Sequence, residues 1–226
     1  LAHPELGYYV TRDPLGVKPL YFSEVKGALC FASEPKALLA LGLAAPRPDL
    51  VALHEALTYR YVPAPKSGFT DIEKLPPGNL ALAEREVIHY RAWWTPPAYA
   101  QTSNTEHLLE DLEQRLQTAV GRRTVSDVPL GAWLSGGIDS GLVLALLAKT
   151  GTEPPATFCA GFAQADWDER ALAEATARQH NARHQSFEIS ADLFRLVPRI
   201  VWHADEPLFD SSCLPTYQLA QQTRPH

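Results

Sequence analysis

The chain has 226 residues, 46% of them apolar and 20% charged, a globular composition with enough length for one large domain or two small ones. A formal charge of −6 with no run of Lys or Arg gives no electrostatic grip on a phosphate backbone, so nucleic acid is not an expected partner. The longest clean apolar stretch, Gly141 to Ala148, is too short to span a bilayer, and no basic-then-apolar segment opens the chain; the expected setting is cytoplasmic, with no membrane partner.

Cys30, Cys159 and Cys213 are widely spaced and form no CxxC, so they read as core filler in a reducing compartment rather than as a disulfide framework or zinc knuckle. Methionine is absent and the chain stops at Arg224-Pro225-His226 without an obvious terminal element, which reads as an internal piece of a longer protein.

In chain order, Gly7 to Thr11, Lys18 to Phe22 and Ala28 to Ser33 are rich in Tyr, Val, Leu and Phe and are separated by the turn-like DPLG and SEVKG, which predicts a β-meander. Ser33 is expected to cap a short helix through Leu41, with Gly42 as its stop. A second helix should start at Asp49, with Leu50, Leu53 and Leu57 on its apolar face, and end before VPAPKSG. After LPPGN, Leu80 to Ala83 and Val87 to Trp93 make a hairpin around Glu84-Arg85, so the opening part is mostly antiparallel β.

Small and polar residues from Thr95 to Asn104 read as an interdomain linker, dividing the chain at 97/98. Ser103 and Glu106 form a capping box for a long helix bearing Leu109, Leu112, Leu116 and Val120. Strands and helices then alternate: strand Pro129 to Leu134, helix Asp139 to Lys149, strand Ala156 to Phe162, helix Asp168 to His180, strand Gln185 to Ile189, then helices. Such alternation implies βαβ units on a parallel sheet, with ligands at the carboxyl ends of the strands. The fold class expected is therefore α+β followed by α/β.

The stretch SGGIDS, 135–140, sits at one such strand end. Adjacent glycines let backbone N–H groups converge without interference from Cβ, and the following helix N-terminus adds partial positive charge at the same point, which makes a phosphate cradle. Ser135 and Ser140 supply hydroxyl donors, whereas the carboxylate of Asp139 would repel phosphate unless a divalent cation stood between them, which implies Mg²⁺. The plainer reading is a tight turn with Asp139 as a helix cap. A Walker-type P-loop is excluded, since no Lys follows the glycines.

SGGIDS resembles the pyrophosphate loop of the ATP-pyrophosphatase superfamily, whose members cleave ATP between the α and β phosphates and adenylate a carbonyl or carboxylate oxygen. Upstream, GYYVTRDPLGVKPLYF, FASEPKALL and LHEALTYRYVPAPKSGFTDIEKLPPGNLAL resemble the end of the class II glutamine amidotransferase domain of glutamine-hydrolysing asparagine synthetases and the segment after it. VSDVPLGAWLSGGIDS, ATFCAGF, DERALAEATARQHNARHQSFEI and DEPLFDSSCLPTYQLA continue that family's pattern in order over nearly the whole chain.

The resemblance implies the end of an antiparallel Ntn-type glutaminase domain over residues 1–97, followed by the start of a parallel-sheet ATP-pyrophosphatase (adenine nucleotide α-hydrolase-like) domain over 98–226. It implies a ligase that adenylates the side-chain carboxylate of aspartate with ATP and Mg²⁺, then displaces AMP with ammonia derived from glutamine. Carried over by motif, Ser135, Gly136, Gly137, Asp139 and Ser140 contact pyrophosphate and Mg²⁺, Leu134 neighbours the nucleoside, and Ala160 with Gly161 lies on the adenine side. Two positions depart from the pattern: Trp133 stands where Phe is common, and Gly141 replaces a common Ser.

Asp205, Glu206 and Asp210 form a carboxylate cluster in DEPLFDSS, read either as helix caps and solvated charge or as lining for the substrate pocket or a second metal. His184 and His203 show no metal-ligand spacing and read as structural, and Arg12 with Asp13 braces a turn at the domain interface. In the family the glutaminase nucleophile is an amino-terminal Cys, which none of the three cysteines here can be, so the isolated chain is expected to be inactive. The resemblance leaves a homodimer open. Competing readings are a related synthetase that closes a β-lactam or cyclises a peptide, a nucleotide-binding scaffold without turnover, and a tRNA-modifying pyrophosphatase, the last disfavoured by the acidic charge.

Overall fold

A computed structural model of the chain describes residues 2–3, 7–84, 87–98, 105–151, 153–189, 192–206 and 209–225. The chain divides into two compact units, Leu1–Tyr99 with Val197–Ser211, and Ala100–Leu196 with Ser212–His226. Antiparallel and parallel sheets both occur, each confined to one unit. No helix among the described residues is long and apolar enough to cross a membrane.

The first unit is built on two antiparallel sheets. One orders β1 (Ala2–His3), β2 (Gly7–Thr11), β6 (Asn79–Glu84) and β7 (Val87–Ala92), and the other places β3 (Tyr21–Val25) between β4 (Ala28–Ala32) and β5 (Glu73–Lys74). Successive residues of a strand face opposite sides, and β3 uses both. Tyr21 packs with Leu38 and Ile72, while Phe22 packs with Leu75 and Ala81 and stacks near Tyr90, ring centroids 5.4 Å apart. This strand was expected at Lys18 to Phe22 and starts later. The N–H groups of Leu15, Val17 and Lys18 are all bound by the Asp13 carboxylate, and Pro19 has none to give, so the turn runs on to Leu20. Arg12 completes the brace by donating to the carbonyls of Lys18, Leu75 and Gly16.

Helix α1 (Pro35–Ala40) starts at Glu34, not at Ser33 as expected: its cap makes no side-chain hydrogen bond, and Pro35 supplies the preset first-turn φ. Helix α2 (Leu50–Tyr59) starts where Asp49 accepts from the N–H groups of Val51 and Ala52, at 2.9 and 3.0 Å. Its buried face is not the leucine stripe. Leu50 and Leu57 are 73% and 64% exposed, whereas Ala52 and Ala56 are fully buried against Val62. The returning chain lies close to the start of α2, with the Asp49 N–H bonded to the Gly68 carbonyl at 3.0 Å, and Val62 packs on the alanine face.

The second unit opens with α3 (Thr105–Arg122), which packs on α4 (Ile138–Thr150) through half-buried Leu116 and Val120 and a Lys149–Glu113 ion pair at 2.7 Å. Leu109 and Leu112, expected on the packed stripe, are exposed. The expected Ser103–Glu106 capping box and the far end of the linker lie outside what is described. A three-stranded parallel sheet has β9 (Ala156–Gly161) between β8 (Gly131–Trp133) and β10 (Arg183–Glu188). Helix α5 (Arg170–Gln179) crosses from β9 to β10. Leu134, Leu144, Cys159, Ala173 and Ala177 form the core that ties α4 and α5 to the sheet. Two expected bounds shift: α5 begins at Arg170, because a 3₁₀ turn occupies Ala165–Trp167, and β10 begins at Arg183.

Two further helices close the chain. Helix α6 (Val197–Ala204) counts with the first unit, and α7 (Cys213–Thr223) packs on β9 in the second.

Candidate functional site

The SGGIDS loop joins the carboxyl end of β8 to α4, and its geometry follows from two anchors. On one side Leu134 is buried and its N–H bonds the Phe158 carbonyl at 2.8 Å, which fixes the last residue before the loop to the central strand. On the other, the Ser140 hydroxyl, one turn into α4, reaches back to Ser135 Oγ at 2.9 Å and accepts from the Ser135 N–H at 3.1 Å. The two serines thus clip the loop closed from both ends.

Within that clip, three consecutive amides meet oxygen atoms. Ser135 N–H donates to Ser140 Oγ, Gly137 N–H to Ser135 Oγ at 3.1 Å, and Gly136 N–H to the Glu169 carboxylate at 3.1 Å. Gly136 is required by close approach, and Gly137 is tightly but less severely packed. A Cβ on Gly136 would stand 2.9 Å from Leu172 Cβ and 3.2 Å from Glu169 Cβ, and one on Gly137 3.2 Å from Ser135 Oγ. Gly137 is itself the cap of α4 and makes no side-chain bond there, while Asp139 lies exposed in the first turn. Asp139 is therefore not the helix cap but an acidic residue of the first turn.

A cavity of about 370 Å³ opens beside the loop, lined by Leu134, Ser135, Ser140, Ala160, Glu169 and Thr216 among others. It lies at the carboxyl ends of β8 and β9, where an α/β sheet ordinarily binds its ligands. Gly161, at the end of β9, is covered by the Arg170 side chain so closely that a Cβ would overlap it. Arg170 is held by Asp168, whose carboxyl the guanidinium keeps below its ordinary range. Cys159 points into the core beneath; burial, then the charges of Asp168 and Glu169, pushes its thiol up to about 11. Among the described residues, no three His, Cys, Asp or Glu side chains gather as a metal cage.

The carboxylate cluster of the DEPLFDSS stretch counts with the first unit. Asp205, at φ 61°, pairs with Lys36 at 3.0 Å, and the same ammonium donates to the Trp202 carbonyl. Glu206 pairs with Lys74 at 2.6 Å, next to Tyr21, and burial raises its carboxyl above the usual range in spite of that lysine. Its Oε1 is buried without a hydrogen-bond partner. Asp210 is exposed in the same segment. His184 bonds Thr157 Oγ1 at 2.9 Å and Ser186 Oγ at 3.2 Å, and burial lowers its pKa; both contacts are those of a sheet histidine. A larger cavity of about 740 Å³ in the first unit is lined by Glu24, Lys26, Asp71, Glu73 and Tyr90.

Sequence reasoning missed Glu169 and its neighbour Leu172. The signal was available: DER follows the carboxyl end of β9 and opens a helix, the position from which α/β proteins reach a ligand. It also missed the lysines that hold Asp205 and Glu206, which lie 169 and 132 residues earlier by subtraction of their numbers.

Residues 111–226 match the asparagine synthase family, and residues 4–94 match the glutamine amidotransferase domain. The chain is 30% identical over 220 residues to asparagine synthetase [glutamine-hydrolyzing] 1 of Bacillus subtilis, covering 96% of this chain and 34% of that protein. It is 31% identical over 236 residues to a putative asparagine synthetase [glutamine-hydrolyzing] of Mycobacterium tuberculosis, covering 96% and 35%. A third relative, amidase chyE of Penicillium rubens, is 30% identical over 232 residues, covering 93% and 34%. The chain thus spans about a third of the length of these curated relatives. Matched over half its length, with the amidotransferase match ahead of it, the chain belongs to the asparagine synthase family.

Proposed function

We propose that the protein carrying this chain makes asparagine from aspartate, ATP and glutamine, and that the SGGIDS loop holds the pyrophosphate part of ATP. The observation that supports this reading is the loop itself: three consecutive amides bonded to oxygen atoms at a strand end, with no room for a Cβ at Gly136 and a carboxylate oxygen already seated on its N–H. A site that holds a carboxylate there has the donor geometry for a phosphate oxygen.

In this reading Ser135, Gly136, Gly137 and Ser140 grip the β- and γ-phosphates, Leu134 backs the nucleoside, and Ala160 with Gly161 flanks the adenine along β9. The residues fit a cation too: Asp139, exposed on the first turn beside the loop, is the group that would hold Mg²⁺. When bound, Mg²⁺ would neutralise charge on the departing pyrophosphate. Holding pyrophosphate in line lets the aspartate side-chain carboxylate attack the α-phosphate, giving β-aspartyl-AMP; ammonia then displaces AMP. That ammonia comes from glutamine hydrolysed by the Ntn-type amidotransferase domain, of which residues 1–97 are the closing part, while 98–226 open the ATP-pyrophosphatase domain. For Asp205 and Glu206 we favour the structural alternative, since both are neutralised by lysines.

A second reading is another amide-forming reaction on the same architecture, such as closure of a β-lactam or cyclisation of a peptide. Mass spectrometry of products from ATP, glutamine and a panel of carboxylates tests both. Asparagine with equimolar AMP and pyrophosphate supports the first; an amide of another acid supports the second.

A further inference from the structure

Three consecutive amides of the loop, those of Ser135, Gly136 and Gly137, are engaged internally, but not alike. Ser135 and Gly137 donate to serine hydroxyls of the loop itself, which are neutral and can rotate. Gly136 donates to a full negative charge brought from α5, at the edge of the cavity. Glu169 occupies the N-cap position of α5 yet makes no capping bond to that helix, so its carboxylate is turned away from its own backbone and toward Gly136. The close packing of Leu172 and Glu169 Cβ on Gly136 keeps the two segments in register, so the start of α5 holds the carboxylate within reach of the loop while its side chain can still swing off the amide.

We propose that Glu169 is an internal anion that competes with the phosphate ligand for the loop and so sets its specificity. This rests on the reading of the loop as a pyrophosphate site. A phosphate oxygen seated on the Gly136 N–H must displace the carboxylate, and the charge left alongside then opposes any polyanion that arrives without a cation. A magnesium-complexed polyphosphate carries less net charge and meets less opposition. Glu169 thereby favours the metal-bound nucleotide over free pyrophosphate or phosphate, and returns to the amide as product leaves.

The test is calorimetric titration of the full chain with inorganic pyrophosphate, once in EDTA and once with excess Mg²⁺, comparing the parent protein with E169Q and E169D. Glutamine keeps an oxygen for the Gly136 N–H and removes only the charge. One unit charge about 5 Å from a phosphate charge in water-like screening changes affinity about fourfold. E169Q should therefore bind metal-free pyrophosphate about fourfold tighter or more, with a smaller gain in Mg²⁺, so that the preference for the metal complex falls. E169D, which keeps the charge, should retain the parent's preference. Equal preferences in the parent and E169Q overturn the proposal, as does E169D behaving like E169Q, because the effect would then be loosening of the loop. Failure of the parent to bind pyrophosphate in either condition overturns the loop reading itself, which separates the two.

Discussion

Replacing Lys74 by Met should destabilise the first unit in a way that depends on pH. In the parent, Glu206 and Lys74 lie 2.6 Å apart with side chains only 10% and 13% exposed, and Lys74 also donates to the Val62 carbonyl. The glutamate Oε1 lacks a partner, so removing the ammonium leaves a buried carboxylate held only by the Gly68 backbone and the Tyr21 hydroxyl. Breaking such a pair from one side typically costs about 3–5 kcal/mol. An upper bound comes from protonation, because the carboxyl escapes by going neutral. From the ordinary value of 4.5 this costs about 1.4 kcal/mol per pH unit, hence about 4 kcal/mol near pH 7.5 and about 1.4 near pH 5.5.

The sign follows from the direction of the shift. Glu206 already sits above its ordinary value because of burial, so its contribution is full below 4.5 and is lost as pH rises through the folded value; without Lys74 that window widens upward. Hydrogen exchange of amides in 72–75, compared between parent and K74M from about pH 5.5 to 7.5, should show a loss that grows by about 1.4 kcal/mol per unit. The double variant K74M/E206Q should recover most of it, since it buries no charge. A loss that is flat with pH, or a double variant as unstable as K74M, would refute the reasoning.

Other predictions concern the second unit. Gly136→Ala puts a methyl 2.9 Å from Leu172 Cβ, so it should cost about 1–3 kcal/mol by overpacking and weaken pyrophosphate binding at least about tenfold, read by calorimetry. Cys159, with its thiol pushed up to about 11 and its side chain buried, should resist iodoacetamide at pH near 8 while Cys30 and Cys213 are alkylated first, as peptide mass spectrometry will report. Asp139→Asn should leave the melting temperature within about 2 °C, the residue being exposed and not the helix cap, while abolishing the gain in pyrophosphate affinity that Mg²⁺ brings.

Legibility in the sequence followed the range of the interaction. The α2 start at Asp49 was readable because the cap bonds span two and three residues. The SGGIDS turn was readable because strand, glycines and helix are contiguous. Failures came where a distant segment decided the outcome. The leucine stripe of α2 is exposed because the Val62–Gly68 return presses on Ala52 and Ala56 instead. The β3 start moved because Asp13 took up the N–H groups ahead of it, a side-chain choice that propensity does not carry. Glu169 was missed because its partner Gly136 lies 33 residues earlier. For Asp205 and Glu206 the sequence left two readings open, caps and solvated charge or a ligand site, because Lys36 and Lys74, which pair with them, lie far away in the chain.

The central claim is that the loop from Ser135 to Ser140 binds the pyrophosphate of ATP during adenylation of aspartate. ATP–pyrophosphate exchange by the protein carrying this chain, measured with and without aspartate, tests it most directly, since exchange requires a reversible adenylate. The account predicts label returning to ATP only when aspartate and Mg²⁺ are both present, and its loss in Asp139→Ala. Exchange that ignores aspartate, or that survives Asp139→Ala unchanged, would contradict it.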